Sequence, residues 1–264
     1  LEPVQSRAFG QLFGQTFRLS LHRFFKLLTI YLMFMVPIGV AEALLSYRAE
    51  LSDQVLAAIF SGLVALVWPI PRAAVMMAVS DRFTGNTTSI RLAFRVAFHR
   101  GGTLIGVGLL VKVLVGVGLV FLLIPGLIFL VLFAVAEEVV VFENRTLGQA
   151  LARSCELARG RWLFILFFLL VLALTLLVPM NVAAAVVKAV FCETGFIATA
   201  FESLTTILFT LVMGVGTLCL YMSLRAEKDG LTGPDLADQV GQVVESLPVP
   251  VAPRKSTPKK PRPE

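Results

Sequence analysis

Four ionisable residues lie inside otherwise apolar sequence: Arg72, Lys112, Glu137 and Glu138. A cation beside two carboxylates can hold an ion, relay a proton, or form a buried pair that fixes how helices meet. Left unpaired at the centre of a membrane helix, each costs roughly 2.5–3.5 kcal/mol. Partners are therefore expected. Counted inwards at ~1.5 Å per residue, Lys112 and the two glutamates reach nearly the same depth in one helical hairpin. Lys112 is expected to pair with Glu137 or Glu138, and Arg72 to approach the other. Adjacent glutamates on a helix point about 100° apart, so one partner is not expected to serve both. Gly108, Lys112 and Gly116 share a face, and the glycines should let a neighbouring helix come close. Asn181 and Glu202 read as interhelical hydrogen bonds or a cavity rim.

The elements that must position these groups are long apolar runs. The chain of 264 residues is 57% hydrophobic and only 15% charged, with a mean hydropathy of +0.86. A soluble domain carries nearer a quarter charged residues. Runs of this length read as membrane spans, expected near 24–46, 54–79, 103–123, 127–142, 162–187 and 196–224. The first run, with no small-residue cleavage site after it, reads as a retained span rather than a signal peptide. Trp68-Pro69-Ile70-Pro71 should kink the second span, because each proline removes a backbone donor. Val178-Pro179 should bend the fifth. Ile124-Pro125-Gly126 suits a very short turn between the third and fourth. The segments Arg48–Asp53, Asp81–Thr88 and Lys188–Gly195 read as loops.

Between the spans lie short amphipathic stretches. Residues 4–22 alternate Phe9, Leu12, Phe13 and Phe17 with Gln11, Gln15 and Arg18, and Arg23 follows. This suits either an interfacial helix or the first turns of the first span. Ile90–Arg100 sets Ile90, Ala93, Phe94, Ala97 and Phe98 against Arg91, Arg95 and His99. Thr146-Leu147-Gly148-Gln149 fits a capping box. Behind it, Ala150, Ser154, Leu157 and Ala158 share a face opposite Arg153, Glu156 and Arg159, and Gly160 supplies a stop. Arg18, Arg23, Arg91, Arg95, Arg153 and Arg159 are the candidate contacts to lipid headgroups. Pro234 and the spacing of Leu236, Val240 and Val243 indicate one more short helix.

One stretch also carries a family likeness. Pro125-Gly126, the run ending Val139-Val140-Val141-Phe142-Glu143, then Ala150-Leu151-Ala152-Arg153-Ser154 and Leu157-Ala158-Arg159-Gly160-Arg161 resemble the bacterial membrane domain named after glycerophosphoryl diester phosphodiesterase. Leu220-Tyr221 to Leu224-Arg225, followed by Glu227-Lys228-Asp229-Gly230-Leu231, is similar to how that domain ends. Many members carry prolines at the positions of Glu137 and Glu138, an arginine near Leu132 and a tryptophan at the position of Cys155. The resemblance implies a multipass bacterial membrane protein. It does not imply phosphodiester chemistry, which belongs to a separate soluble barrel.

The expected fold is therefore an all-α membrane bundle of six spans over residues 1–245, with interfacial helices on the cytoplasmic side. A disordered proline-rich basic tail is expected over 246–264. A short helix, a span, a turn and a span repeat three times in sequence order, so three tandem hairpins are expected. Arginines and lysines concentrate in the N-terminal segment, the 80–102 and 143–161 loops and the tail, which places both termini in the cytoplasm of a cell with this inner membrane. The formal charge of +6 goes with anionic lipid, not nucleic acid, since the remaining residues form long apolar runs. A second membrane protein is the other expected partner class. No Ser-His-Asp set, phosphate-binding loop or His/Cys metal spacing is legible, and Cys155, Cys192 and Cys219 form no ligand pattern. The expected role is non-enzymatic, without cofactor or metal. The rival is a small transporter or channel subunit built on Lys112, Glu137 and Glu138, and last comes a lipid-modifying enzyme using the glutamates as acid and base.

Overall fold

The computed structural model describes residues 8–22, 24–46, 51–84, 89–121, 123–191 and 196–245. Within these it describes the side chains outside 39–46, 51–54, 56–58, 61, 191, 196–200 and 202. The expected tail from 246, Arg23, and the side chains of Glu202 and Cys192 lie outside the described residues. The described chain is all helix: α1 Phe9–His22, α2 Phe24–Ser46, α3 Leu51–Val67, α4 Pro69–Thr84, α5 Ile90–His99, α6 Gly101–Phe121, α7 Leu123–Leu132, α8 Ala136–Glu143, α9 Leu147–Ala158, α10 Trp162–Phe191, α11 Phe196–Asp229 and α12 Gly233–Glu245.

Among the described residues, five stretches are long and apolar enough to cross a membrane: Gly62–Thr84, Gly101–Phe121, Leu123–Glu143, Trp162–Val190 and Ser203–Asp229. A sixth is reached if α1 and α2, bent by 71° at their junction, count as one broken span. These lengths and compositions are those of an integral membrane protein.

Burial sorts the helices into a centre and a rim. The apolar window of α11 is 72% buried, against 22% for α6. α4 is buried almost throughout, from Pro69 to Phe83, and packs on α2, α5, α6, α8, α11 and α12. α10 presents Leu163, Phe167, Leu170, Leu174, Val178, Val182, Val186 and Val190 outwards. That stripe, at helical spacing, belongs in lipid rather than water.

The polar ends of the helices gather at one end of the bundle, here called the charged end. α9 starts with the expected capping box, in which the Thr146 N–H donates to Gln149 Oε1 at 3.3 Å. It buries Ala150, Ser154, Leu157 and Ala158, as the periodicity required. Gly160 follows at φ +85°, a backbone state that costs glycine little. α12 buries Leu236, Val240 and Val243, again as expected.

Three local expectations are corrected. Pro125-Gly126 is not the turn: both residues lie in the first turns of α7, where a proline's missing donor is one that would be free anyway. Gly126 serves close packing instead, since a Cβ built on Gly118 would lie 2.8 Å from the Gly126 Cα. Asp81 is not in a loop. It sits in α4, buried, with Lys26 Nζ at 3.1 Å, because its charge is matched from α2. Lys188 is likewise still helical, in α10. α1, for which an interfacial helix and the start of the first span are both open in sequence, is a separate helix bent by 71° from α2. It is wedged against α10 and α11, with the Phe9 ring 5.0 Å from that of Phe167 and Thr16 3.3 Å from a Cβ built on Gly216.

Candidate functional site

The site is made by two helix breaks. The first follows from Pro69 and Pro71, which have no N–H to give. The carbonyl of Ala65, four residues before Pro69, thereby loses its helical partner. Lys112 Nζ supplies the replacement at 2.8 Å. The expected pairing of Lys112 with a glutamate is therefore wrong. The lysine repairs the break in the α3–α4 span, as a broken helix in lipid requires.

The second break has no proline or glycine. Between α7 and α8, residues 133–135 tighten into turns: Ala134 N reaches Val131 O at 3.4 Å and Ala136 N reaches Phe133 O at 3.1 Å. One carbonyl freed there, that of Leu132, accepts from Ser154 Oγ at 2.7 Å. The consequence is electrostatic. Glu137 and Glu138 fall in the first turn of α8, where unpaired N–H groups favour negative charge.

Arg72, in the first turn of α4, takes both carboxylates. Its Nη1 lies 3.0 Å from Glu137 Oε2 and its Nη2 3.4 Å from Glu138 Oε1. Nη2 also donates to Thr217 Oγ1 of α11 at 2.8 Å, and that hydroxyl donates to Gly214 O at 3.1 Å. The expectation that adjacent glutamates need separate partners fails because a guanidinium is a fork whose two ends reach different acceptors. Small residues make the approach possible. A Cβ on Gly214 would stand 3.6 Å from Arg72 Cγ, and one on Gly108 would stand 2.9 Å from Pro69 Cγ and 3.4 Å from Glu137 Oε1. Gly108 thus behaves as its spacing implied. Gly116 does not: nothing lies within 4 Å of a Cβ there.

Gly116 faces a cavity of about 570 Å³. Val111, Val115, Leu119, Leu127, Leu130, Leu166 and Leu169 form its walls, and Arg72, Lys112, Glu137 and Thr217 its polar part. Lys112 and the ion pair thus share a cavity without bonding each other. Glu138 is fully buried. Among the described residues, its second oxygen, the Arg72 Nε and the hydroxyl of buried Tyr31 have no hydrogen-bond partner. Tyr31, which sequence reasoning did not single out, is within electrostatic reach of Arg72 and Glu137. Asn181 serves its own helix, donating to Leu177 O at 2.8 Å, rather than a neighbouring one.

A second polar network closes the charged end. Glu143, at the end of α8, receives Arg153 Nε at 3.3 Å, Arg225 Nε at 3.6 Å and Arg145 Nε at 3.6 Å, and the Tyr221 hydroxyl donates to it at 3.2 Å. Arg153 also pairs with Glu156 at 2.8 Å and with Asp229. Burial alone would lower the Arg153 pKa, but the bonds to Asp229 and Glu156 outweigh it and hold it above the ordinary value. Arg153 was expected among the headgroup contacts. Its guanidinium is instead taken up by three carboxylates. Arg18, Arg91 and Arg159 are exposed and Arg95 is half-buried. Arg100, unassigned by the sequence pattern, is buried and donates to Val140 O and Val141 O at 2.7 and 2.8 Å.

In comparisons with protein-family models, curated proteins and solved structures, nothing matches this chain.

Proposed function

We propose that this is a membrane protein that works by holding a lipid, or a like amphiphile, in the cavity beside Arg72, and by associating with anionic lipid around its charged end. The cavity carries the reading. Its walls are aliphatic, one part is polar, and its volume of about 570 Å³ lies within the ~300–1,000 Å³ of small-ligand sites. A chain with one polar group fits such a lining better than a hydrated ion does. In this reading the six spans are α2, α3–α4, α6, α7–α8, α10 and α11. The charged end faces the cytoplasm of a bacterial cell and both termini lie on that side, in keeping with the placement of arginine and lysine. Arg18, Arg91, Arg95 and Arg159 meet headgroups there. Exposed Phe25, Phe98 and Trp162 suit the same boundary. The order short helix, span, span also runs three times, as α1–α4, α5–α8 and α9–α11, which is in keeping with tandem units.

Gly116→Trp tests the cavity. The added ring has open space to enter, so folding is preserved while the cavity fills. Native mass spectrometry of protein extracted with its lipid should show retained lipid falling about tenfold. Equal retention in both forms would remove the reading.

A small transporter or channel subunit is the second reading. The observation favouring it is that, among the described residues, Glu138 Oε2, Arg72 Nε and the Tyr31 hydroxyl are buried without a hydrogen-bond partner, groups that could hold water or a proton.

A further inference from the structure

We infer that the charged end holds a specific site for a phosphate group, between Arg100, Arg145 and Arg225. These three residues line a cavity of about 290 Å³ together with Glu143, Gln239 and Gln242. It shares no lining residue with the cavity beside Arg72, so it is independent of the lipid held there; only its headgroup form rests on the proposed association of the charged end with anionic lipid.

Three features make it a built site. Arg100 is only 6% exposed. Its Nη1 caps the end of α8, and its Nη2 is buried with no hydrogen-bond partner among the described residues. Such a donor is costly to leave unused. Arg225, 7% exposed, spends Nε on Asp229 and Nη1 on Tyr221 and Gln239, so its Nη2 is not among the engaged atoms. Arg145 is anchored only through Nε at 3.6 Å from Glu143, with its side chain 47% exposed. Three arginines thus line one cavity, and Arg100 and Arg225 each keep an amino group that no described bond engages.

The charge balance agrees. Three cations line the cavity against one anion, Glu143, and Glu143 is further neutralised by Arg153 from outside the lining. Burial pushes the Arg100 guanidinium below its ordinary pKa, the cost an incoming anion would relieve. A phosphate group suits the donors because its tetrahedral oxygens accept from several directions and pair with guanidinium forks. The lid is α12, which supplies Gln239 and Gln242 while its apolar face is fixed by Leu236, Val240 and Val243.

Two sources could supply that phosphate: a soluble phosphate compound or the headgroup of an anionic phospholipid. The test uses the full chain in nanodiscs of neutral phosphatidylcholine, with and without added phosphatidylglycerol. Binding of inorganic phosphate is measured by ³¹P line broadening in the first, and retained phosphatidylglycerol by native mass spectrometry in the second. Arg145→Gln and Gln242→Glu are the variants, both at exposed positions of the mouth, so folding is kept. Saturable phosphate binding, weakened about tenfold or more in both variants, supports the site with a soluble ligand. Retention of phosphatidylglycerol lost in both variants, with no phosphate binding, supports it with a headgroup. Neither ligand bound, or binding unchanged by the variants, overturns it.

Discussion

Arg72→Met lowers the unfolding free energy by about 3–5 kcal/mol, the cost of taking one partner from a buried ion pair. The substitution leaves adjacent Glu137 and fully buried Glu138 without their shared cation, and removes the donor that Thr217 Oγ1 accepted from. The helix N-terminus at α8 offsets part of this, by about 1 kcal/mol at most in ordinary settings. The triple variant Arg72→Met, Glu137→Gln, Glu138→Gln recovers most of the loss, since the buried charges are then gone together. Denaturant unfolding in mixed micelles measures both. A single-variant loss under about 1 kcal/mol would mean a water-screened pair of the surface kind.

The second large effect is at Glu143. Glu143→Ala costs about 3 kcal/mol, because Arg153, Arg225 and Tyr221 lose their common acceptor in a site where the Glu143 and Arg225 side chains are 8% and 9% exposed. Asp229 keeps hold of both arginines, which limits the loss. Arg145→Ala is the contrast: it touches the same carboxylate from a half-exposed position at 3.6 Å, and costs under about 1 kcal/mol. Hydrogen exchange should localise the Glu143→Ala loss to α8, α9 and the end of α11. Equal effects of the two substitutions would show that Glu143 is not the hub of the network.

Much of this frame is legible from residue types alone. Apolar runs delimit the span-length helices, and Thr146 with Gln149 marks the start of α9. The Pro69 break is legible, and so is its remedy in part. A proline orphans the carbonyl four residues before it, here that of Ala65. What no spacing reveals is that Lys112 lies beside that carbonyl, since this depends on how α6 packs against α3. The break at residues 133–135 is hidden for a different reason. Phe133-Ala134-Val135 has no helix-breaking residue, and the turn is held by tertiary contacts such as Ser154 to Leu132. The one local clue is the pair of glutamates just after it, a residue type that favours a first helical turn. Ile124-Pro125-Gly126 misleads in the opposite sense, since turn residues also serve in a helix's first turn and at glycine contacts.

The most direct measurement asks what fills the cavity beside Arg72. Cys155, Cys192 and Cys219 are replaced by alanine, and single cysteines are placed at Gly116 and Ala134, small residues of the cavity lining. Native membranes are then treated from each side with a membrane-impermeant thiol reagent. The expected result is no labelling at either position from either side, because lipid occupies the cavity, and labelling only after the lipid is stripped in detergent. Labelling of both positions from one side of the intact membrane would contradict lipid occupancy. It would show a water-filled path to Arg72, Glu137 and Glu138, and would make transport the better reading.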